Sequence, residues 1–213
     1  MWAPVIKYNS DQPRSSNGEF ASNDSEFAPV EAANAADAKE TVERGIASFK
    51  EDGGEIQSLS KKECANMLDV LATERDNISD YKTFSKMDER GWDFTESALD
   101  SGESGFKVSV ATVDGLGIAG AISYKIQDDA EFGGGKYVLI DYLGTTQIAK
   151  GTGSALANEV YKFAAARGLS VQGEPYLEGQ HFWARHGWVE DPEEIGGYYS
   201  GLTADQVKKL AVK

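Results

Sequence analysis

The sequence predicts a mixed α/β (α+β) fold, a sheet with helices on both faces, preceded by an extended N-terminal arm. Three observations predict it. Apolar residues alternate with period two on either side of Asp114-Gly115, which reads as a β-hairpin. A strand then runs into a helix through the turn Lys150-Gly151-Thr152-Gly153, and the elements go on as strand, helix, strand to a terminal helix. A chain of 213 residues suits one main core with an arm. The expected division is an arm over 1–50, extended and partly helical, and a domain over 51–213.

Residues 1 to about 30 are rich in Ser, Asn, Asp, Glu and Gly, with widely spaced aromatics that cannot build a core alone. Val42, Ile46 and Phe49 stand at helical spacing, with Gly45 inside the run, and Asp52-Gly53-Gly54 breaks it. Ser60 and Glu63 have the form of a capping box, so a helix is expected over 60–73 with Met67, Leu68 and Leu71 on one face. A further helical region falls within 80–99. Phe106, Val108 and Val110 alternate with Lys107 and Ser109 in the first hairpin strand, and the second runs from Leu116 to Ile126. A third strand is expected over Tyr137–Leu143.

The helix after Gly151 carries the apolar stripe Leu156, Val160, Phe163 and Ala164, and Arg167-Gly168 closes it. Leu169–Val171 is then a short strand. A helix over about 177–186, a strand beginning at Trp188-Val189 and a helix opened by Thr203-Ala204-Asp205-Gln206 complete the chain.

Composition excludes several classes. A formal charge of −14 opposes attraction to phosphate backbones, so nucleic acid is not expected as a partner. No stretch approaches the roughly 20 apolar residues of a membrane span, and the N-terminus lacks a secretory pattern, so a cytoplasmic protein with no membrane partner is expected. Cys64 is the single cysteine, which excludes an internal disulfide or a cysteine-rich metal site, and no metal is expected.

The turn at Gly151 admits two readings. It is either a plain strand-to-helix connection or an anion site, because the first amides of the following helix lack partners and sit at the positive end of its dipole. Gly151 and Gly153 would let a pyrophosphate approach the backbone, and Lys150 would add charge. A dinucleotide fingerprint fails because Leu156 stands where its third Gly belongs. A nucleotide-triphosphate loop from Gly144 fails at Ala149 and Gly151.

The run from Ile140-Asp141-Tyr142-Leu143 through Gln147 to Leu156 resembles the acetyl-CoA-binding motif of the Gcn5-related N-acetyltransferases, the GNAT family. Phe182-Trp183-Ala184-Arg185-His186-Gly187-Trp188 resembles that family's closing Phe-Tyr-x-x-x-Gly-Phe segment. The resemblance covers about residues 104–190. It implies a GNAT-like, mostly antiparallel sheet flanked by helices, and acetyl transfer from acetyl-CoA to a primary amine. It also implies that the amides of Ile148, Ala149, Lys150, Gly151, Thr152, Gly153 and Ser154 hold the pyrophosphate. A bulged strand edge at Tyr142-Leu143-Gly144 would hold the pantetheine, with Leu143 the contact to the acetyl carbonyl.

The chain departs from that pattern in two places. Ile148 stands where the family has Arg or Gln, with Gln147 one place earlier. Trp183 stands where the family has the Tyr that protonates the departing thiolate, and is expected to pack against the pantetheine or the core. Tyr176, then His181 or solvent, are the candidates for that acid. Asp141 is the first candidate for the general base, as a partly buried carboxylate with a raised pKa, and Glu174 the second. Cys64, on a helix with no nearby histidine, is not expected to act as a nucleophile.

Asp11-Gln12-Pro13-Arg14 through Phe20 weakly resembles a short segment of tailed-bacteriophage virion proteins. That resemblance implies an alternative: a catalytically degenerate virion protein of the same fold, docked on other virion proteins through residues 1–30, in the host cytoplasm or the particle.

Overall fold

A computed structural model describes residues 32–77, 86–129, 135–146, 148–175, 179–190 and 200–212. The described strands form one seven-stranded sheet in the order β1-β2-β3-β4-β5-β7-β6. These strands are β1 (Gly54–Leu59), β2 (Lys107–Val113), β3 (Gly117–Asp128), β4 (Lys136–Thr145), β5 (Ser170–Gly173), β6 (Val189–Glu190) and β7 (Ser200–Leu202). All neighbours pair antiparallel except β4 and β5. The fold class expected from the sequence, a mixed and mostly antiparallel sheet flanked by helices, is the observed one. No described helix is long and apolar enough to cross a membrane.

Helices α1 (Ala35–Glu51), α4 (Thr152–Ala165) and α6 (Ala204–Leu210) cover one face. There Val42, Phe49, Leu156, Val160 and Leu210 bury against Ile122, Val138 and Ile140. Helices α2 (Lys61–Asn77) and α3 (Lys86–Asp100) cover the other face, where Leu71, Trp92 and Leu99 meet Val108, Val110 and Ala121. The short α5 (Gln180–Arg185) brings Trp183 onto the first of these cores.

Capping chemistry sets the helix starts. Glu63 accepts from the Ser60 amide at 2.7 Å and its own amide donates to Ser60 Oγ at 3.4 Å, which begins α2 as expected. Thr203 and Gln206 form the same reciprocal pair before α6. The hairpin closes through Asp114-Gly115, where Gly115 has φ of 70°.

The structure departs from these expectations at the domain boundary and in its short strands. Ala38, Val42 and Phe49 are buried in the core, and the compact unit runs from Ala32 to Lys213, so the stretch 32–50 belongs to the domain and not to an arm. Gly45, an apparent flaw in that helix, is a contact point: a side chain there would lie 2.6 Å from Ser154 Oγ on α4. Strands β1 and β7 had no counterpart in the sequence reading. Residues 1–31, and with them the expected docking segment 1–30, lie outside the described residues.

Candidate functional site

The register between β3 and β4 shifts at one point. Ser123 faces Tyr142 and Tyr124 faces Ile140, so Asp141 is the extra, bulged residue of β4. The resemblance put the bulge at Tyr142-Leu143-Gly144; it falls one residue earlier. On the other side β4 pairs with β5 only from Tyr137 to Ile140, where Gly173 is the last partner. Beyond that point the two parallel strands part.

The Tyr142 amide donates to Ser123 Oγ at 3.2 Å, which turns it toward β3. Backbone groups alternate along a strand, so those of Leu143 turn toward the gap left by β5. A cavity of about 210 Å³ fills this gap. Asp141, Leu143 and Thr145 form its β4 wall, Arg90 and Phe94 of α3 a second, and Glu174, Trp183 and Trp188 a third. Gly144 lets α3 seat directly on β4: a side chain there would lie 2.7 Å from Thr95 Oγ1 and closer still to the α3 backbone.

The turn after β4 leads from this cavity to α4. Thr146 anchors it, its amide donating to the Ala119 carbonyl at 2.9 Å and its hydroxyl to the Ile118 carbonyl at 2.7 Å. Gly151 adopts a left-handed conformation, φ 76° and ψ −1°, at the N-cap of α4. A Cβ there would overlap the Gly45 carbonyl of α1. Gly153 differs: the nearest atoms to a Cβ there would be those of the Phe182 ring, at 3.1 Å, and Thr145 Cγ2 at 3.8 Å. The amides of Thr152, Gly153 and Ser154, in the first turn of α4, have no acceptor within the helix. The Lys150 amide does have one, the Asp52 carboxylate at the C-cap of α1, at 3.1 Å. A carboxylate therefore already occupies one of the amides expected to hold pyrophosphate.

Asp141 is open to solvent on one side, yet the protein around it displaces enough water to hold its carboxyl above the usual range. Ser101 and the Lys125 ammonium oppose that shift. Ser101 Oγ lies 2.9 Å from both the Asp141 carboxylate and the Ser97 carbonyl, and its one proton serves one of them at a time.

Behind the aromatic wall runs a buried chain. The Trp188 indole donates to Tyr161 Oη at 3.0 Å, Tyr161 meets His186 Nδ1 at 3.0 Å, and His186 Nε2 meets Ser154 Oγ at 3.0 Å. A neutral imidazole has one donor and one acceptor, which suits its two hydroxyl neighbours. Burial, with a smaller push from Arg185, holds the His186 pKa down at about 3.

That shift has a sign. The unfolded chain takes up a proton below about pH 6.5 while folded His186 does not, so stability is lost as pH falls from there toward about 3. Between pH 7 and pH 4 the wild type is expected to lose about 3 kcal/mol more than His186→Gln, read from urea unfolding at each pH. Equal slopes would show that His186 does not stay neutral in the fold.

The structure brings together Asp141, Leu143, Glu174 and Trp183 at the cavity; of residues 148–154 none lines it, and Gly153 comes near it through Thr145. His181 is exposed on α5. Tyr176 and Gln147 lie outside the described residues. Cys64 is buried on the inner face of α2, where desolvation pushes its thiol up, away from nucleophile chemistry. Arg90, Ser101 and Asp52 were not singled out from the sequence. Each reaches the site from a distant stretch with no local signal.

No protein-family model matches the chain, and no curated protein matches it in sequence. Among solved structures it is similar to AtaTR bound with AcCoA, with a TM-score of 0.53 at 13% identity, over 76% of this chain and 99% of that one. A GCN5-related N-acetyltransferase from Ralstonia eutropha JMP134 gives 0.43 at 20% identity, over 67% of this chain and 97% of that one. The anti-CRISPR protein AcrVA5 gives 0.34 at 25% identity, over 40% and 90%. The likeness to the first of these, together with the parted β4 and β5 and the glycine turn between β4 and α4, is one of architecture: the chain has a GNAT-like fold.

Proposed function

We propose that this protein transfers acetyl from acetyl-CoA directly to a primary amine. The observation that carries the reading is the gap between β4 and β5, with the Leu143 backbone turned into it and Thr145, on its wall, next to Gly153 in the first turn of α4. The residues suit such a ligand. The amides of Thr152, Gly153 and Ser154, which have no acceptor within α4, would take the pyrophosphate, Leu143 and Trp183 would line the pantetheine, and the Leu143 amide would polarise the acetyl carbonyl.

The reaction then needs a neutral amine. Its nitrogen attacks the carbonyl carbon, the C–N bond forms, and the C–S bond breaks. Asp141 takes the proton lost by nitrogen, which its raised pKa favours. The departing thiolate takes a proton from Tyr176 or from solvent. Calorimetry with acetyl-CoA tests the first step, and no binding at millimolar concentration would sink the reading. Release of free thiol across a panel of amines tests the second.

Gly153→Glu should abolish binding, because it places charge and bulk where the amides of α4 would meet pyrophosphate and where Phe182 is packed. Unchanged affinity in calorimetry would show that the ligand lies elsewhere.

A degenerate, non-catalytic protein of this fold is the second reading. Trp183 at the place of the acid and Asp52 on the Lys150 amide favour it. It predicts acetyl-CoA binding without turnover, or none, together with docking of residues 1–30 on an assembly such as a phage particle. Assembly unaffected by removing residues 1–30 would count against it.

A further inference from the structure

The anion end of the proposed site has one cation of its own, the Lys150 side chain in the turn, set among carboxylates. Ile148 carries no charge, Asp52 places a carboxylate on the Lys150 amide, and Asp141 and Glu174 add two more along the cavity. A diphosphate brought to the first turn of α4 would meet amides without an intrahelical partner and Lys150, but also three carboxylates. Among the described residues lining the cavity, Arg90 is the single cation.

A chain of contacts links the start of α3, beside Arg90, to the start of α4. Its neighbour Gly91 lies so close to β4 that a Cβ would overlap the Thr145 carbonyl oxygen. Thr145 Cγ2 lies 3.8 Å from the position of a Cβ on Gly153, in the first turn of α4. Gly91, the residue after Arg90, is thus two contacts from Gly153, and Arg90 itself lines the same cavity as Thr145. It already has a partner within the protein, but five donors in one plane can serve two acceptors.

We propose that Arg90 supplies a second cation for the diphosphate of the CoA ligand, working across the Thr145 end of the cavity from the amides of Thr152, Gly153 and Ser154. The inference rests on the CoA reading above. Arg suits the task because its fork pairs two phosphate oxygens at once, and a desolvated cavity wall strengthens the pair. It also accounts for how a site with Ile148 and Asp52 could hold a strongly anionic ligand.

Calorimetry with the full chain, Arg90→Met and Arg90→Lys, against CoA and against pantetheine, which lacks the diphosphate, tests it. Arg90→Met should weaken CoA binding by roughly ten- to a hundredfold, with a shallower salt dependence. Pantetheine binding should not change, and Arg90→Lys should recover part of the loss. Unchanged CoA affinity in Arg90→Met would overturn the proposal. So would an equal loss for pantetheine, which would make Arg90 a packing residue, or an effect confined to the KM of the amine, which would place it on the acceptor side. Failure of the wild type to bind CoA would remove the functional reading and this inference together, whereas wild-type binding beside an indifferent Arg90→Met removes this inference alone.

Discussion

Gly151→Ala is expected to destabilise the domain by roughly 3 to 5 kcal/mol, while Gly153→Ala costs under about 1 kcal/mol. The two glycines stand in the same turn and look alike as a motif, but they meet different surroundings. At Gly151 a side chain must accept a left-handed backbone, φ 76°, which costs about 1–2 kcal/mol. It must also displace the Gly45 carbonyl, a backbone atom in the middle of α1 that cannot rotate aside. At Gly153 the near atoms belong to the Phe182 ring, at 3.1 and 3.3 Å, and a small shift of one side chain relieves them. Thermal unfolding should separate the variants by about 10 °C, at 2–4 °C per kcal/mol for a domain of this size. Equal midpoints would mean that α1 does not sit against the loop as described.

Asp141→Asn is expected to lower kcat by roughly 10²- to 10⁴-fold while leaving acetyl-CoA affinity nearly intact, because the amide keeps the shape of the carboxylate but cannot take the amine's proton. Activity in the wild type should fall as the pH drops through a value above the ordinary carboxylate range, since desolvation raises the Asp141 pKa and only the ionised form acts as base. Ser101 lowers that pKa by its hydrogen bond, so Ser101→Ala should move the acid limb of kcat/KM to higher pH. The charges facing this carboxylate are Lys125 of β3, which also lowers it, and the Tyr142 phenol, whose own ionisation Asp141 opposes. An acid limb that stays in place in Ser101→Ala, or an Asp141→Asn enzyme with full turnover, would remove Asp141 from the chemistry.

Much of this architecture is written locally. The Ser60/Glu63 and Thr203/Gln206 pairs announce helix starts because each satisfies backbone donors within a single turn. Asp114-Gly115 announces a hairpin for an equally local reason. Strand β1 does not announce itself: Gly54–Leu59 is an edge strand with no fully buried residue, so its apolar alternation is faint. Strand β7 is three residues long, held only by its neighbours. Helix α1 looks like part of an arm because its buried face is built partly from Ala38, which packs well but carries a weak apolar signal.

The candidate site divides along the same line. Residues on β4 and its following turn, from Asp141 to Ser154, are contiguous and legible. The partners that set their chemistry come from elsewhere: Ser101 for Asp141, Asp52 for Lys150, Gly45 for Gly151, Arg90 for the cavity. Contacts of that separation leave no pattern within one stretch of chain. Only the fold reveals that the Lys150 amide is taken and that Trp183 and Trp188 share a wall.

The meeting of Gly45 with Gly151 bears on the order in which this protein assembles. The two residues are about 100 positions apart, so closing that loop carries a large entropy loss before any contact rewards it. In chain order α1 comes well before α4, so the part of its face that α4 covers lacks that partner until α4 has been made. The glycine turn cannot take its final shape until then. Substitutions that thicken α1 at Gly45 should therefore slow the last folding phase and leave the hairpin of β2 and β3 free to form at its normal rate.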